Sequence, residues 1–349
     1  MGSTSGLDRR PVGFARWRSD LPSGGNRYDD ELAARLGGFG IQVRQYPVAG
    51  PWPLAAEADR QQLAGLLTAE QHWLVGNIVA AAAPEVIAAA VADGRQITML
   101  MHYFPADDPA LATSDRNRLA ATEAAAVRAA SAIIVPSTWA AAQVALRYHR
   151  VDAVVAVPGV EPAPPAVGSW PRGAPPMLLW LGRLSRLKDP LTFARALARL
   201  GDLDWTARFV GPDTDEAVTR AVRGCIEEAG LGGRIEMPGS QHSAALEATW
   251  AQTDLLVHTS QAETYGMVVS EALARGIPSI VPDGTGAVEA QAVGVSFPPT
   301  DVTALTTALR GWLASPRLRQ QWRDRALEQR TRVPTWQQTA AIIASVLTG

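Results

Sequence analysis

Short apolar runs alternate with longer amphipathic segments along this chain, and the alternation restarts after one break dense in proline and glycine. In the first half the sequence predicts strands over residues 12–17, 41–48, 73–78, 97–102, 132–135 and 153–157. Helices are predicted between them over residues 27–36, 57–70, 84–92, 114–130 and 139–148. The break is PGVEPAPPAVGSWPRGAPP, residues 158–176, which has no periodicity and reads as a linker between domains. Strands then resume over residues 177–181, 206–210, 235–237, 255–258, 279–281 and 295–297. Their helices fall over 190–200, 216–229, 244–251, 267–274, 302–314 and 317–331, and a last helix over 335–347 follows Pro334 with Thr335 as its N-cap. Strand–helix alternation argues for parallel sheets covered by helices on both faces. A chain of 349 residues is too long for one ordinary core. The expected fold class is therefore α/β with two doubly wound domains, a first over 1–160, a linker over 161–176, a second over 177–333 and a closing helix over 334–349. Ligands of such sheets bind beyond the carboxyl ends of the strands, so a cleft between facing domains is the expected site.

Bulk properties remove several function classes. A net charge of −2 gives no electrostatic footprint for nucleic acid. Cys225 is the single cysteine, so no intrachain disulfide forms, a reducing compartment fits, and its place in a helical pattern assigns it to packing. The first residues, MGSTSGLDRRP, contain no apolar core of a signal peptide, which gives a cytoplasmic expectation. The most apolar window, residues 74–92, is interrupted by Asn77, Pro84 and Glu85 and reads as a buried strand followed by a helix. Residues 317–332, RLRQQWRDRALEQRTR, hold six arginines against two acids; the segment suits either an anionic membrane surface or a solvated helix face.

Three stretches carry chemistry. In SGGNRYDDEL, Gly24 and Gly25 stand between a strand and a helix, where backbone N–H groups can approach a phosphate, or where a plain turn would serve. The stretch lacks the third glycine of a dinucleotide fingerprint and the lysine of a P-loop. In LLWLGRLSRLKDP, Arg183 and Lys188 follow a buried strand and would be placed to receive a diphosphate leaving group. Lys188 is the only lysine of the chain, all other Lys/Arg positions being arginine. In HTSQAETYGMVVSEALARGIPSIVPDG, Glu263 and Glu271 flank a predicted helix start at Gly266, Met267 and Val268. Such a segment can meet sugar hydroxyls with Glu263, a phosphate with the open amides, and ribose hydroxyls with Glu271. A paired-carboxylate glycosidase site is the competing chemistry, disfavoured by the proximity of both acids to one phosphate-type helix start. His102 ends the strand of MLMHYFP, at the carboxyl edge where ligands bind. Asp202-Leu203-Asp204 lies at the amino end of a strand, away from that edge, and five histidines show no paired spacing, so no metal site is expected. Of the 11 tryptophans most are assigned to packing, with Trp52 and Trp73 as candidates for an acceptor pocket.

Taken in order along the chain, these segments resemble the retaining glycosyltransferases of GT-B fold in glycosyltransferase family four. ETYGMVVSEALARGIP resembles that family's E-x7-E motif, GRLSRLKDP its G-R-x-x-x-x-K loop, SGGNRYDDEL its N-terminal glycine loop, and VPSTWAAAQV and VPGVE its connecting motifs. Two departures stand out: Thr285 occupies the first glycine of the usual G-G-x-x-E, and the junction Pro158-Gly159 lacks an intervening asparagine. The resemblance implies GT-B architecture, with two Rossmann-like domains facing across a cleft. It implies that Arg183 and Lys188 hold the donor diphosphate, and that Glu263 and His102 contact the donor sugar. Gly24 and Gly25, with Gly266, Met267 and Val268, would line the donor, and Glu271 would hold the ribose. No metal and no bound cofactor are implied; the partner is a nucleotide-diphosphate sugar, a UDP-sugar first and a GDP-sugar second. The acceptor would be a hydroxyl of a small molecule, glycan or lipid-linked species. An epimerase of the same architecture and a non-catalytic sugar-nucleotide binding subunit are the alternatives. A phosphorylase relying on pyridoxal phosphate is disfavoured, because no lysine follows Lys188.

Overall fold

The computed structural model describes residues 11–17, 23–169 and 173–349. The sequence reading of the N-terminus, residues 1–10, therefore lies outside the described residues. The chain divides into two compact units, one of Met1–Gly159 with Thr335–Gly349 and one of Val160–Pro334.

In unit 1 the strands are β1 (Val12–Arg16), β2 (Val43–Pro47), β3 (His72–Gly76), β4 (Gln96–Leu100), β5 (Ala132–Val135) and β6 (Val154–Val155). Among the described residues six α-helices connect them: α1 (Gly24–Arg35), α2 (Glu57–Leu66), α3 (Asn77–Ala82), α4 (Pro84–Ala92), α5 (Thr113–Ala129) and α6 (Thr138–Tyr148). The six strands are parallel in the order β2-β1-β3-β4-β5-β6. Order reverses between β1 and β3, which makes their carboxyl ends the expected ligand edge of this unit. The apolar window read as one strand and one helix is a strand and two helices, because Pro84 cannot continue α3 and instead opens α4. Trp52 and Trp73 belong to the core, with 3% and 0% exposure, and their indole N–H groups donate to Ala49 O and to Leu67 O and Glu70 O. They line no acceptor pocket; burial satisfies both ends of each side chain.

The C-terminal helix, Trp336–Thr348, is part of unit 1. Thr335 caps it by accepting from Gln338 N, and Gln338 returns a side-chain acceptor to Thr335 N. Trp336 is buried edge-on against Tyr28 of α1, at 5.5 Å between ring centroids, and the Tyr28 hydroxyl donates to Ala156 O. The backbone of Trp336 rests on Gly159 so closely that a Cβ there would lie 2.1 Å from Trp336 N.

Unit 2 contains β7 (Met177–Leu181), α7 (Pro190–Ala198), β8 (Thr206–Val210), α8 (Glu216–Glu228), β9 (Ile235–Gly239), α9 (Ser243–Gln252) and β10 (Leu255–Val257). It continues with α10 (Met267–Ala274), β11 (Ser279–Pro282), α11 (Ala287–Ala290), β12 (Gly294–Phe297), α12 (Val302–Ala314) and α13 (Pro316–Gln329). The strands are again parallel, in the order β12-β11-β10-β7-β8-β9. The reversal lies between β7 and β10, so the loops leaving those two strands border the crevice of this sheet. Cys225 packs against the core, as its helical pattern suggested.

In the stretch read as a linker, the described residues 160–169 and 173–176 lie outside helices and strands, and the amides of Ala166, Val167 and Gly168 anchor it to unit 2 by donating to Arg275 O and Ala251 O. The arginine-rich α13 region supplies part of that anchorage. Arg323 donates to Ala166 O, Arg330 to Ala274 O and Ala163 O, and Arg319 to Leu313 O, so three of the six arginines serve backbone carbonyls. Asp202 of the D-x-D string pairs with Arg310 at 2.6 Å. Among the described residues no helix is long and apolar enough to cross a membrane.

Gly159→Ala should destabilise unit 1 by about 1–3 kcal/mol, because the atoms it meets are backbone and cannot rotate away. Urea unfolding followed by circular dichroism measures this; an unchanged midpoint would show that the C-terminal helix does not need the close approach.

Candidate functional site

The β7/β10 reversal gathers the residues with the most pointed chemistry. After β7 the chain makes a loop from Gly182 to Asp189 that is tied down at both ends. Gly182 N donates to Val210 O, and Leu184 N to Pro212 O with its side chain in the core. Asp189, at φ 46°, caps α7 by accepting from Thr192 N and Thr192 Oγ1, with Pro190 at the first helical position. The loop after β10 is fastened to the first. Thr259 Oγ1 donates to Lys188 O and Asp189 O while accepting from Trp180 Nε1, and Gln261 N donates to Leu187 O. These bonds bring side chains 75 positions apart into contact: Lys188 Nζ lies 2.5 Å from Glu263 Oε2.

Glu263 is 14% exposed and Lys188 24%. Burial alone would push the Glu263 carboxyl up; the Lys188 ammonium and the His258 ring overcome it and hold the group well below the usual carboxylate range. His258 Nε2 stands 3.3 Å from the same oxygen, and burial pushes the pKa of that imidazole down, so it is neutral. His258 was not singled out from the sequence; its position five residues before Glu263, at the strand end, is the signal that could have marked it. Arg183, half-buried on the same loop as Lys188, forms no ion pair among the described residues.

Gly266 has φ 83° and no side chain to cap α10, so the first-turn amides of Met267 and Val268 have no helical partner. That end carries the positive pole of the helix. Gly286 N donates to Glu263 O at 2.7 Å, and a Cβ on Gly286 would lie 2.0 Å from Thr264 O. This close approach needs the second glycine of the G-G-x-x-E position. Thr285, at the first, is buried and bonds its own turn through Pro282 O. Glu271 lies on α10, one turn beyond Met267.

Unit 1 gathers the remaining candidates at its own reversal. Gly24 and Gly25 are the first two residues of α1 rather than a loop before it, because Ser23 caps the helix by accepting from Asn26 N. Gly25 backs onto His102, whose ring atoms would be 3.3 Å from a Cβ there. His102 Nε2 lies 2.7 Å from Asp29 Oδ1 on the same helix, and Asp29 is 5% exposed with Arg16 Nη1 3.9 Å away. The backbone beneath the ring is fixed as well: His102 N donates to Asn77 Oδ1, while Asn77 Nδ2 donates to Tyr103 O and Glu123 Oε1. Glu123 also accepts from Tyr148 Oη at 2.6 Å. Burial pushes Glu123 up to about 7, against the opposing pull of the Tyr148 and Asn77 hydrogen bonds.

The structure thus brings Lys188 and Glu263 into contact in unit 2, with Arg183 on the same loop as Lys188 and Gly266, Met267 and Val268 at the helix start that follows Glu263, and it places Gly25 against His102 in unit 1, with Gly24 beside Gly25 in the first turn of α1. Residues 169–329 match the family described as Glycosyl transferases group 1. A stretch of 128 residues is 32% identical to D-inositol 3-phosphate glycosyltransferase 1 of Catenulispora acidiphila, covering 34% of this chain and 31% of that protein. The chain thus matches about a third of the length of that curated relative. The whole chain is similar in structure to sucrose-phosphate synthase from Thermosynechococcus elongatus, with TM-score 0.81, 18% identity and coverage of 97% and 98% of the two chains. It is also similar to Anabaena HepE in complex with UDP-glucose, with TM-score 0.75, 19% identity and coverage of 97% and 100%. The fold is GT-B. In this GT-B chain the family match falls within unit 2, the unit that holds the Lys188–Glu263 pair.

Glu123 generates a pH signature. A glutamate ionises near 4.5 in an unfolded chain and at about 7 here, so its stabilising contribution is intact below 4.5 and lost as pH rises through 7. The difference amounts to about 3 kcal/mol. Glu123→Gln, which imitates the protonated acid, should flatten the fall in unit 1 stability between about pH 5 and about pH 8. Urea midpoints at the two pH values test it; equal pH slopes for both proteins would contradict the assignment.

Proposed function

We propose that the chain is a retaining glycosyltransferase that transfers a hexosyl group from a nucleotide-diphosphate sugar to an acceptor hydroxyl. One observation carries the reading. Arg183, which forms no ion pair among the described residues, the ammonium of Lys188 and the open amides of α10 all lie on segments that border the crevice of the unit that matches glycosyl transferases group 1. Such a set suits a diphosphate on which negative charge grows as the glycosidic C–O bond breaks. Glu263, held ionised, presents Oε1 to a sugar hydroxyl while Oε2 is occupied by Lys188. Glu271 is given the ribose.

The acceptor oxygen bonds the anomeric carbon on the face the diphosphate leaves, and its proton passes to the departing phosphate oxygen. No protein nucleophile and no metal are needed in this scheme. His102 of unit 1 is given a contact with the transferred sugar, with Asp29 holding the ring. A UDP-sugar is the first donor to try, since HepE is described in complex with UDP-glucose. A GDP-sugar is the second.

A thermal-shift panel of nucleotide sugars should raise the unfolding midpoint with the true donor. With that donor and an acceptor, Arg183→Ala and Lys188→Ala should each lower kcat roughly 10²- to 10³-fold. Turnover near that of the wild type in both variants would overturn the proposal. Donor conversion without acceptor would indicate an epimerase instead, and binding without hydrolysis or transfer a silent subunit.

A further inference from the structure

His258 Nε2 is buried and, among the described residues, makes no hydrogen bond of good geometry; its one polar neighbour is Glu263 Oε2, met at 3.3 Å without the alignment of a bond. Buried donors are rarely left so, and each instance calls for a physical account. The side chain is 7% exposed, and its backbone amide is fixed to Ile280 O. Its ring nitrogen stands 3.3 Å from Glu263 Oε2, yet Lys188 Nζ occupies that oxygen at 2.5 Å. Two donors thus converge on one acceptor atom, and only the ammonium has the better position. A carboxylate facing a neutral imidazole selects the tautomer with the proton on Nε2, since a lone pair there would be repelled.

We propose that His258 is a positioning residue that takes over Glu263 when Lys188 turns from it to the donor diphosphate. The inference rests on the reading of unit 2 as a donor site. Lys188 is on a flexible stem and a quarter exposed, so it can exchange one anionic partner for another. Were it the sole partner, its departure would leave a buried carboxylate uncompensated, which is strongly unfavourable. His258 cannot follow, being held in the strand end, and so keeps Glu263 ionised and oriented for the sugar. In the unliganded arrangement the imidazole waits without a bond; with diphosphate bound it acquires one.

The test uses the whole protein with 15N-labelled histidine, assigned with His258→Gln, and UDP as the probe beside inorganic pyrophosphate. Saturating UDP or pyrophosphate should move the His258 Nε2–H proton downfield and slow its exchange with water. His258→Leu should lose roughly 10- to 10²-fold in kcat, while His258→Gln, which retains a donor, should recover most of it. The leucine variant should melt no lower than the wild type, because it removes an unsatisfied group. UDP binding that leaves the His258 signal unmoved overturns the inference alone. So does a leucine variant that turns over like wild type, or a loss of stability that glutamine does not restore. If neither UDP nor pyrophosphate binds the wild type, the donor-site reading fails and the inference with it.

Discussion

The ion pair between Lys188 and Glu263 is the contact on which the site in unit 2 depends. It closes a distance of 75 residues in sequence, and it exists because Thr259 and Gln261 bind the carbonyls of Leu187, Lys188 and Asp189. The side-chain pair therefore rests on a backbone already held by several hydrogen bonds, which lowers the entropy lost in forming it. Desolvating both groups is costly, and the short contact between ammonium and carboxylate offsets it. The result is a carboxylate that stays ionised although burial acts against it.

Glu123 in unit 1 shows the opposite outcome from the same burial. It has hydrogen-bond donors in Tyr148 and Asn77 and the more distant pull of Arg147, but among the described residues no cation in contact, so desolvation prevails and the carboxyl moves up to about 7. A cation at 2.5 Å makes the difference between the two acids. The Glu123 network matters because it ends at the backbone of His102, while Asp29 holds the ring of the same residue. His102 is thereby fixed from two sides by residues 25 to 73 positions away.

The alternation of short apolar runs with amphipathic helical segments made the α/β class legible, because the central strands of both sheets, such as β1, β3, β7 and β10, are short buried runs bounded by turn residues. Pro84–Ala92, Met177–Leu181 and Val302–Ala314 have the same bounds in sequence and structure. Asn77–Ala82 was hidden, since an alanine-rich helix buried on most sides has no polar face to reveal its period. The start of α1 was displaced because two glycines read as a loop, whereas the Ser23 cap includes them in the helix. Arg183, Lys188 and Glu263 were visible one at a time from their place after strands; that Lys188 would pair with Glu263 was not, because nothing local encodes a contact between distant loops. Glu123 did leave a trace: it falls on the stripe of Leu119, Ala126 and Val127, where an acid is out of place unless hydrogen-bonded.

The central claim is that the Lys188 ammonium serves a diphosphate rather than only the fold. Isothermal titration of UDP onto wild type and Lys188→Met measures this directly. Loss of a charge-assisted contact should weaken binding about tenfold to 10²-fold. Equal affinity in the two proteins would show that Lys188 is a structural partner of Glu263 and nothing more.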